Sequence, residues 1–306
     1  MQTQIPWLLY VLATVSSLAR RNHPQGILSP ESTSLRPSLS LLFSAAPARL
    51  IGDVVLVVIA SELHNDLKQA QRDTFLPAFE HVLFASEANT ECVLCGDGKH
   101  YDHVDLFGQA PFLRRPVGWY CAQSRNLQGL RLAARAHPAA EWVVMIDDDT
   151  YLNAPVLFKM LASLDPSLPQ VIGSEWAGGA GYAFSRGALS RLLATLPVRH
   201  MAWSAQEHAW TASPGVAPET VLDACIAAQL GGAWCDLHAD WAIARCVRAA
   251  GMELEPASSM VMICPFNNPS APTPPLTRHD ADWLATCHHL NATNLRALHS
   301  FIIGRG

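Results

Sequence analysis

The stretch "DVVLVVIAS", Asp53 to Ser61, constrains the fold more than any other part of this chain. From Val54 to Ala60 it is apolar without a polar alternation and rich in β-branched residues, the pattern of a strand covered on both faces. A helix-forming segment, "NDLKQAQRDTFL" at 65–76, follows it. A second apolar run, "HVLFA" at 81–85, ends in the polar "SEANTE". Residues 122–136 then set Leu127, Leu130 and Ala134 on one helical face, and His137-Pro138 ends that helix. The strand "EWVVMI" comes next, and after it Asn153 can cap a helix whose Leu157, Met160, Leu161 and Leu164 recur at helical spacing. This alternation implies an α/β sandwich with a mostly parallel, Rossmann-like sheet flanked by helices. Ligands of such sheets gather at the carboxyl ends of the strands.

At one of those ends stand Asp147, Asp148 and Asp149. Mutual repulsion pushes such carboxylates toward protonation unless a cation holds them. Carboxylates are hard oxygen ligands suited to magnesium or manganese, ions that often bridge a protein to a substrate's phosphates. A metal-dependent phosphatase of the Asp-x-Asp-x-Thr/Val type would want Thr or Val where this chain has Tyr151. An exposed acidic turn is the bland alternative. The glycine-rich "AGGAGYAFSRGAL" lacks the Lys-Ser/Thr of a P-loop, so its glycines serve sharp turns or close backbone approach to a ligand.

Half of the 306 residues are hydrophobic and 15% are charged, enough apolar material for a substantial core. The net charge of -5, with no basic block, argues against nucleic acid as a partner. Residues 1–22 contain an apolar segment ending at Arg20-Arg21, short against the roughly 20 residues of a membrane span. It is expected to be a single N-terminal signal-anchor or a cleaved signal peptide. Residues 23–50, rich in Pro and Ser, read as a stem, and residues 51–306 as one catalytic domain. Eight cysteines fit disulfides in an oxidising lumen better than zinc, because Cys92-Val-Leu-Cys95 has no second half at finger spacing. Asn291-Ala-Thr293 is the one N-glycosylation sequon, since Pro269 blocks Asn268-Pro-Ser270. Such tripeptides also arise by chance.

In collinear order the chain resembles the Fringe-like β-1,3-glycosyltransferases, a group that includes the core 1 galactosyltransferases and has the GT-A fold. "DVVLVVIAS" with "RDTFLP" resembles that family's first strand and Arg-x-Thr-Trp helix, with Phe75 in place of tryptophan. "HVLFASE" resembles its second strand, "CAQSRNLQGLRLA" its Ser-Arg helix and "WVVMIDDDTYLN" its metal motif. "GGAGYAFSRGAL" resembles its glycine loop, "ADWAIARC" its acidic catalytic segment and "HHL" its final histidine. The likeness runs from about residue 53 to residue 290, with no correspondence from Met201 to Gly215 and a longer interval between Asp240 and His289.

The resemblance implies roles position by position. Asp149 and His289 would hold a manganese or other divalent ion on the diphosphate of a UDP-sugar, with His288 the competing ligand. Asp147 and Asp148 would face the ribose or the ion's water shell. Arg72, Ser124 and Arg125 correspond to nucleotide-side positions, and Gly179 and Gly181 to the glycine loop. Asp240 would be the base that deprotonates the acceptor hydroxyl, a step needing one ionised carboxylate within hydrogen-bond reach; Asp236 is the runner-up, and helix capping is the structural alternative for Asp240. Trp176, Trp203 and Trp210 could stack on sugars or fill a core.

The resulting expectation is a metal-dependent inverting hexosyltransferase acting on a glycan or glycoprotein hydroxyl with β-1,3 linkage. It would reside in the Golgi or endoplasmic reticulum lumen, type II membrane-bound or secreted. A non-catalytic glycan- or nucleotide-binding descendant of the fold, and a metal-dependent phosphatase, are the alternatives.

Overall fold

The computed structural model describes residues 53–92, 117–174, 178–195, 202–203, 210–211, 220–230, 234, 238–257, 259–261 and 277–304. The expected anchor and stem at 1–50, Cys95, Asp236, Trp176 and the proline-rich "NNPSAPTPPL" lie outside them.

The apolar run at 54 becomes β1 (Val54–Ile59), and helix α1 (Asn65–Asp73) and β2 (His81–Ala85) follow. Helix α2 (Val117–Ala136) leads to β3 (Trp142–Asp147), then β4 (Tyr151–Leu152) and α3 (Ala154–Ala162). After β5 (Val171–Ile172) a 3-10 turn at Gly178–Ala180 enters β6 (Tyr182–Ser185) and α4 (Arg186–Leu192). The short hairpin β7 (Ala202–Trp203) and β8 (Trp210–Thr211) precedes α5 (Val221–Leu230) and α6 (Ala239–Ala249). The chain closes through β9 (Leu254–Glu255), β10 (Met260–Val261), α7 (Arg278–Trp283), β11 (Thr286–Cys287) and α8 (Ala292–Ile303).

The principal sheet has the order β2-β1-β3-β6-β5-β9. β1 pairs in parallel with both β2 and β3, β5 with β9, and β6 alone runs against its neighbours. The architecture is therefore mixed α/β with a mainly parallel sheet between helices, as the alternation of apolar and amphipathic segments implies. Both faces are covered. Val55, Val57 and Ile59 pack with Leu127, Leu130, Ile226 and Ile243 on one side. Val54, Leu56 and Val58 pack with Phe75, Leu157, Leu161 and Leu295 on the other. That two-sided burial is why β1 has no polar alternation; each such side chain removed from water contributes about 1.5–3 kcal/mol.

Among the described residues, the disulfides Cys92–Cys121 and Cys225–Cys246 bind helices into this frame. Cys92–Cys121 ties the segment after β2 to α2, and Cys225–Cys246 joins α5 to α6. No free cysteine occurs among the described residues. Asn153 does stand at the N-cap of α3, but its side chain makes no cap bond; Nδ2 donates instead to the Ala281 carbonyl at 3.1 Å. Tertiary packing takes the amide that the sequence assigns to the helix. Among the described residues no helix is long and apolar enough to cross a membrane.

Candidate metal and donor site

β1 and β3 run in register, Ile59 opposite Asp147, so their carboxyl ends open at one edge of the sheet. There the chain turns through Asp147 to Thr150, with the Thr150 N–H donating to the Asp147 carbonyl. Gln71 of α1, fully buried, braces the turn by donating through Nε2 to the carbonyls of Asp147 and Thr150. The turn feeds β4, whose antiparallel partner is β11 with Cys287 opposite Tyr151. Continuing that register sets His288 opposite Thr150 and His289 opposite Asp149. A short strand pair thus joins residues almost half the chain apart.

Consecutive residues of an extended strand point to opposite faces. His289 instead has φ of +63°, and the imidazoles of His288 and His289 stack with centroids 3.9 Å apart. Left-handed backbone is uncommon outside glycine, and strain of this kind concentrates at functional sites. Both rings reach one carboxylate: His288 Nε2 lies 2.8 Å from Asp149 Oδ1, and His289 Nδ1 lies 3.5 Å from Oδ2. One donor atom from each of Asp149, His288 and His289 falls within a span of 4.8 Å. Asp149 Oδ1 is buried yet has no hydrogen-bond partner despite that close nitrogen, and His288 Nδ1 is also unpartnered. Two lone-pair atoms at cis-ligand separation but out of hydrogen-bond alignment fit a set of donors that faces a shared cation. The mixed imidazole and carboxylate composition suits a divalent metal of the first transition row.

The three aspartates occupy different environments. Burial raises the Asp149 carboxyl, but the two histidines outweigh it and hold the group well below the usual range. Burial, with the neighbouring carboxylates, pushes Asp147 up to about 7, against the pull of His288. Asp148 is also raised by burial; its Oδ2 accepts from the Ser61 N–H and lies 3.0 Å from His64 Nδ1. Asp148 therefore pins the loop after β1 to the triplet. His288 is raised because its contact with Asp149 exceeds the cost of burial.

The glycine loop forms the floor. A Cβ on Gly179 would collide with the His288 ring and stand 2.7 Å from Asp147 Oδ2. The Gly179 carbonyl accepts from Thr150 Oγ1 at 2.7 Å, which fixes the loop against the turn. A Cβ on Gly178 would stand 2.7 Å from the Asp240 Cβ, so the same turn separates the donor cluster from Asp240. Gly181 has φ of +120° and would press on the Met145 carbonyl. Asp240 lies in the first turn of α6, and its charge reaches Asp147. Its Oδ1 accepts from the Trp241 N–H at 3.1 Å, while His238 holds the N-cap position but its side chain does not cap the helix.

The remaining expected site residues are placed less directly. Arg125 is 2% exposed; Nη1 donates to the Ala60 carbonyl at 2.8 Å and Nη2 lies 2.6 Å from Glu87 Oε1. Burial opposes ionisation of Glu87, but the backbone N–H groups of Glu62 and Glu87, together with Arg125, bring it down to about 2. Arg125 thus joins the carboxyl ends of β1 and β2 from beneath. Ser124 donates to the carbonyls of Glu91 and Cys121. Arg72 is exposed, its guanidinium 5.4 Å from the Phe84 ring. The side chains of Trp203 and Trp210 lie outside the described residues. Gln71, His64, Thr150 and Glu87 were not singled out by sequence. Each is a polar residue in a helix, cap or loop, and nothing in its local pattern distinguishes it from a solvated one.

The mixed α/β domain thus carries a carboxylate–histidine cluster at its strand ends. Residues 120–176, spanning Ser124, Arg125 and the aspartate triplet, match the family model described as Fringe-like. Solved structures to which the chain shows some similarity include the crystal structure of a glycosyltransferase involved in the glycosylation of the major capsid of PBCV-1. That likeness has a TM-score of 0.42 and 10% identity, covering 80% of this chain and 99% of the other. No curated protein sequence matches the chain. Over residues 120–176 the family match agrees with the resemblance read from the motifs.

Proposed function

We propose that this protein is a metal-dependent, inverting glycosyltransferase of GT-A type that moves a hexose or N-acetylhexosamine from a UDP-sugar to a glycan or glycoprotein hydroxyl, with β-1,3 linkage. The observation that carries this reading is the convergence of Asp149, His288 and His289 within 4.8 Å at the carboxyl ends of the central strands. A divalent ion held there, manganese being the natural choice, would offset the charge that develops on a departing diphosphate. Asp149, kept ionised, and the two imidazoles would be its ligands. Asp147 lines the cluster, Asp148 anchors the loop after β1, and Gly179 leaves room for the ligands. Asp240, across the glycine turn, accepts the proton of the attacking hydroxyl. The disulfides support a lumenal setting, Golgi or endoplasmic reticulum, with the chain anchored or secreted.

The test is UDP release from a panel of UDP-sugars with purified protein. Activity should vanish with EDTA, return with Mn2+ and be lost in Asp149→Ala. Turnover that persists through chelation would exclude the metal-dependent mechanism.

A further inference from the structure

We propose that Asn291 carries an N-linked glycan. Asn291 opens the sequon Asn291-Ala-Thr293 and stands exposed at the N-cap of α8, with Thr293 exposed as well. Its side-chain amide is held in one orientation: Oδ1 accepts from the Asn294 N–H at 2.8 Å. Because that neighbour is a donor, the atom facing it is the oxygen, and Nδ2 points away from the helix. Nδ2 is the atom that glycosylation modifies. The Nδ2–C1 bond forms as the C1–O bond of a lipid-linked oligosaccharide diphosphate breaks; Nδ2 loses one proton and the lipid diphosphate leaves. Oδ1 keeps its lone pairs, so the cap survives the modification.

Two observations independent of the tripeptide favour this. The segment preceding Asn291 is fixed from the inside, since Leu290 is buried and its N–H donates to the Asp149 carbonyl at 2.9 Å, which leaves Asn291 on the outer surface. The disulfides Cys92–Cys121 and Cys225–Cys246 are bonds of an oxidising compartment, where the modification takes place. The glycan would stand two residues beyond His289, at the rim of the donor cluster.

The full chain, expressed in the secretory pathway of a eukaryotic cell, tests the proposal by gel mobility and peptide mass before and after peptide N-glycosidase. The wild type should lose one glycan's mass on treatment, with Asn291 converted to aspartate. Thr293→Ala removes the sequon but keeps the Asn291 cap, so it should show no shift and retain the melting temperature of the enzymatically deglycosylated wild type. Absence of a shift in the wild type, or a shift that persists in Thr293→Ala, overturns the assignment.

Discussion

Gly179→Ala adds one methyl group at the point where the glycine loop meets the donor cluster. The new Cβ would collide with the His288 ring and lie 2.7 Å from Asp147 Oδ2. Favourable contacts between heavy atoms begin near about 3.5 Å, so the imidazole must retreat by about 1 Å or more. Metal sites tolerate ligand displacements of only about 0.2 Å. The loop itself has little freedom to retreat, because Thr150 Oγ1 holds the Gly179 carbonyl and Gly181 follows in a left-handed conformation. His288 should therefore be lost as a ligand. The expected cost is at least the 10- to 100-fold loss of affinity typical of disturbing a ligand's support, roughly 1.4–2.7 kcal/mol. Isothermal titration of Mn2+ into the protein, with and without UDP, reads this directly. Gly178→Ala is the matched control: its Cβ meets Asp240, 2.7 Å from Cβ to Cβ, and no ligand of the cluster. It should lower turnover while leaving Mn2+ affinity near wild type. Equal Mn2+ affinity in wild type and Gly179→Ala would refute the assignment of His288 to the metal.

Further outcomes follow from the same geometry. Asp240→Asn should reduce turnover by about 10²- to 10⁴-fold yet preserve UDP binding, as measured by parallel kinetics and titration. In metal-free protein Asp147 holds its proton up to about 7, above its unfolded value, so the native state binds more protons between about pH 4 and 7 and stability falls as pH rises through that window. His288 is raised too, and its contribution, complete below about pH 6.5, is lost as pH rises through its folded value. Thermal melts from pH 5 to 8 should show a falling midpoint without metal, a shallower slope in Asp147→Asn, and a Mn2+-induced increment that grows with pH. Arg125→Ala should lower stability by about 2 kcal/mol in urea denaturation, because it strips the Ala60 carbonyl of its buried donor; Glu87 is partly exposed, and solvent limits its share.

Much of the frame was legible in the chain. The apolar runs at 54 and 142 announce their strands because two-sided burial leaves no room for a polar alternation, and Leu127, Leu130 and Ala134 mark the buried face of α2. The triplet at the end of β3 could be found for the same reason, since carboxylates directly after a buried strand must emerge at the sheet edge. The choice between His288 and His289 could not be read. An extended strand would offer one of them and hide the other, and only the left-handed backbone at His289 brings both rings to Asp149. Nor could Arg125 be placed from its motif: its charge suits phosphate, but its hydrogen bond to Ala60 and ion pair with Glu87 keep it beneath the strand ends.

The sequence by itself determined which segments are strands and helices, where hard ligands cluster and which glycines lie near them, because these are set by periodicity and residue type over short distances. Only the tertiary structure decided that β11 pairs with β4, that Gly179 underlies His288, that Asp148 is bound to Ser61 and His64, and that Asp240 stands across the glycine turn. These contacts join residues far apart in the chain, and no local pattern encodes them. Three adjacent aspartates thus acquire different electrostatic states from their surroundings: Asp149 is held ionised by histidines from the other end of the chain, Asp147 is pushed toward protonation by burial, and Asp148 is committed to a backbone N–H and an imidazole.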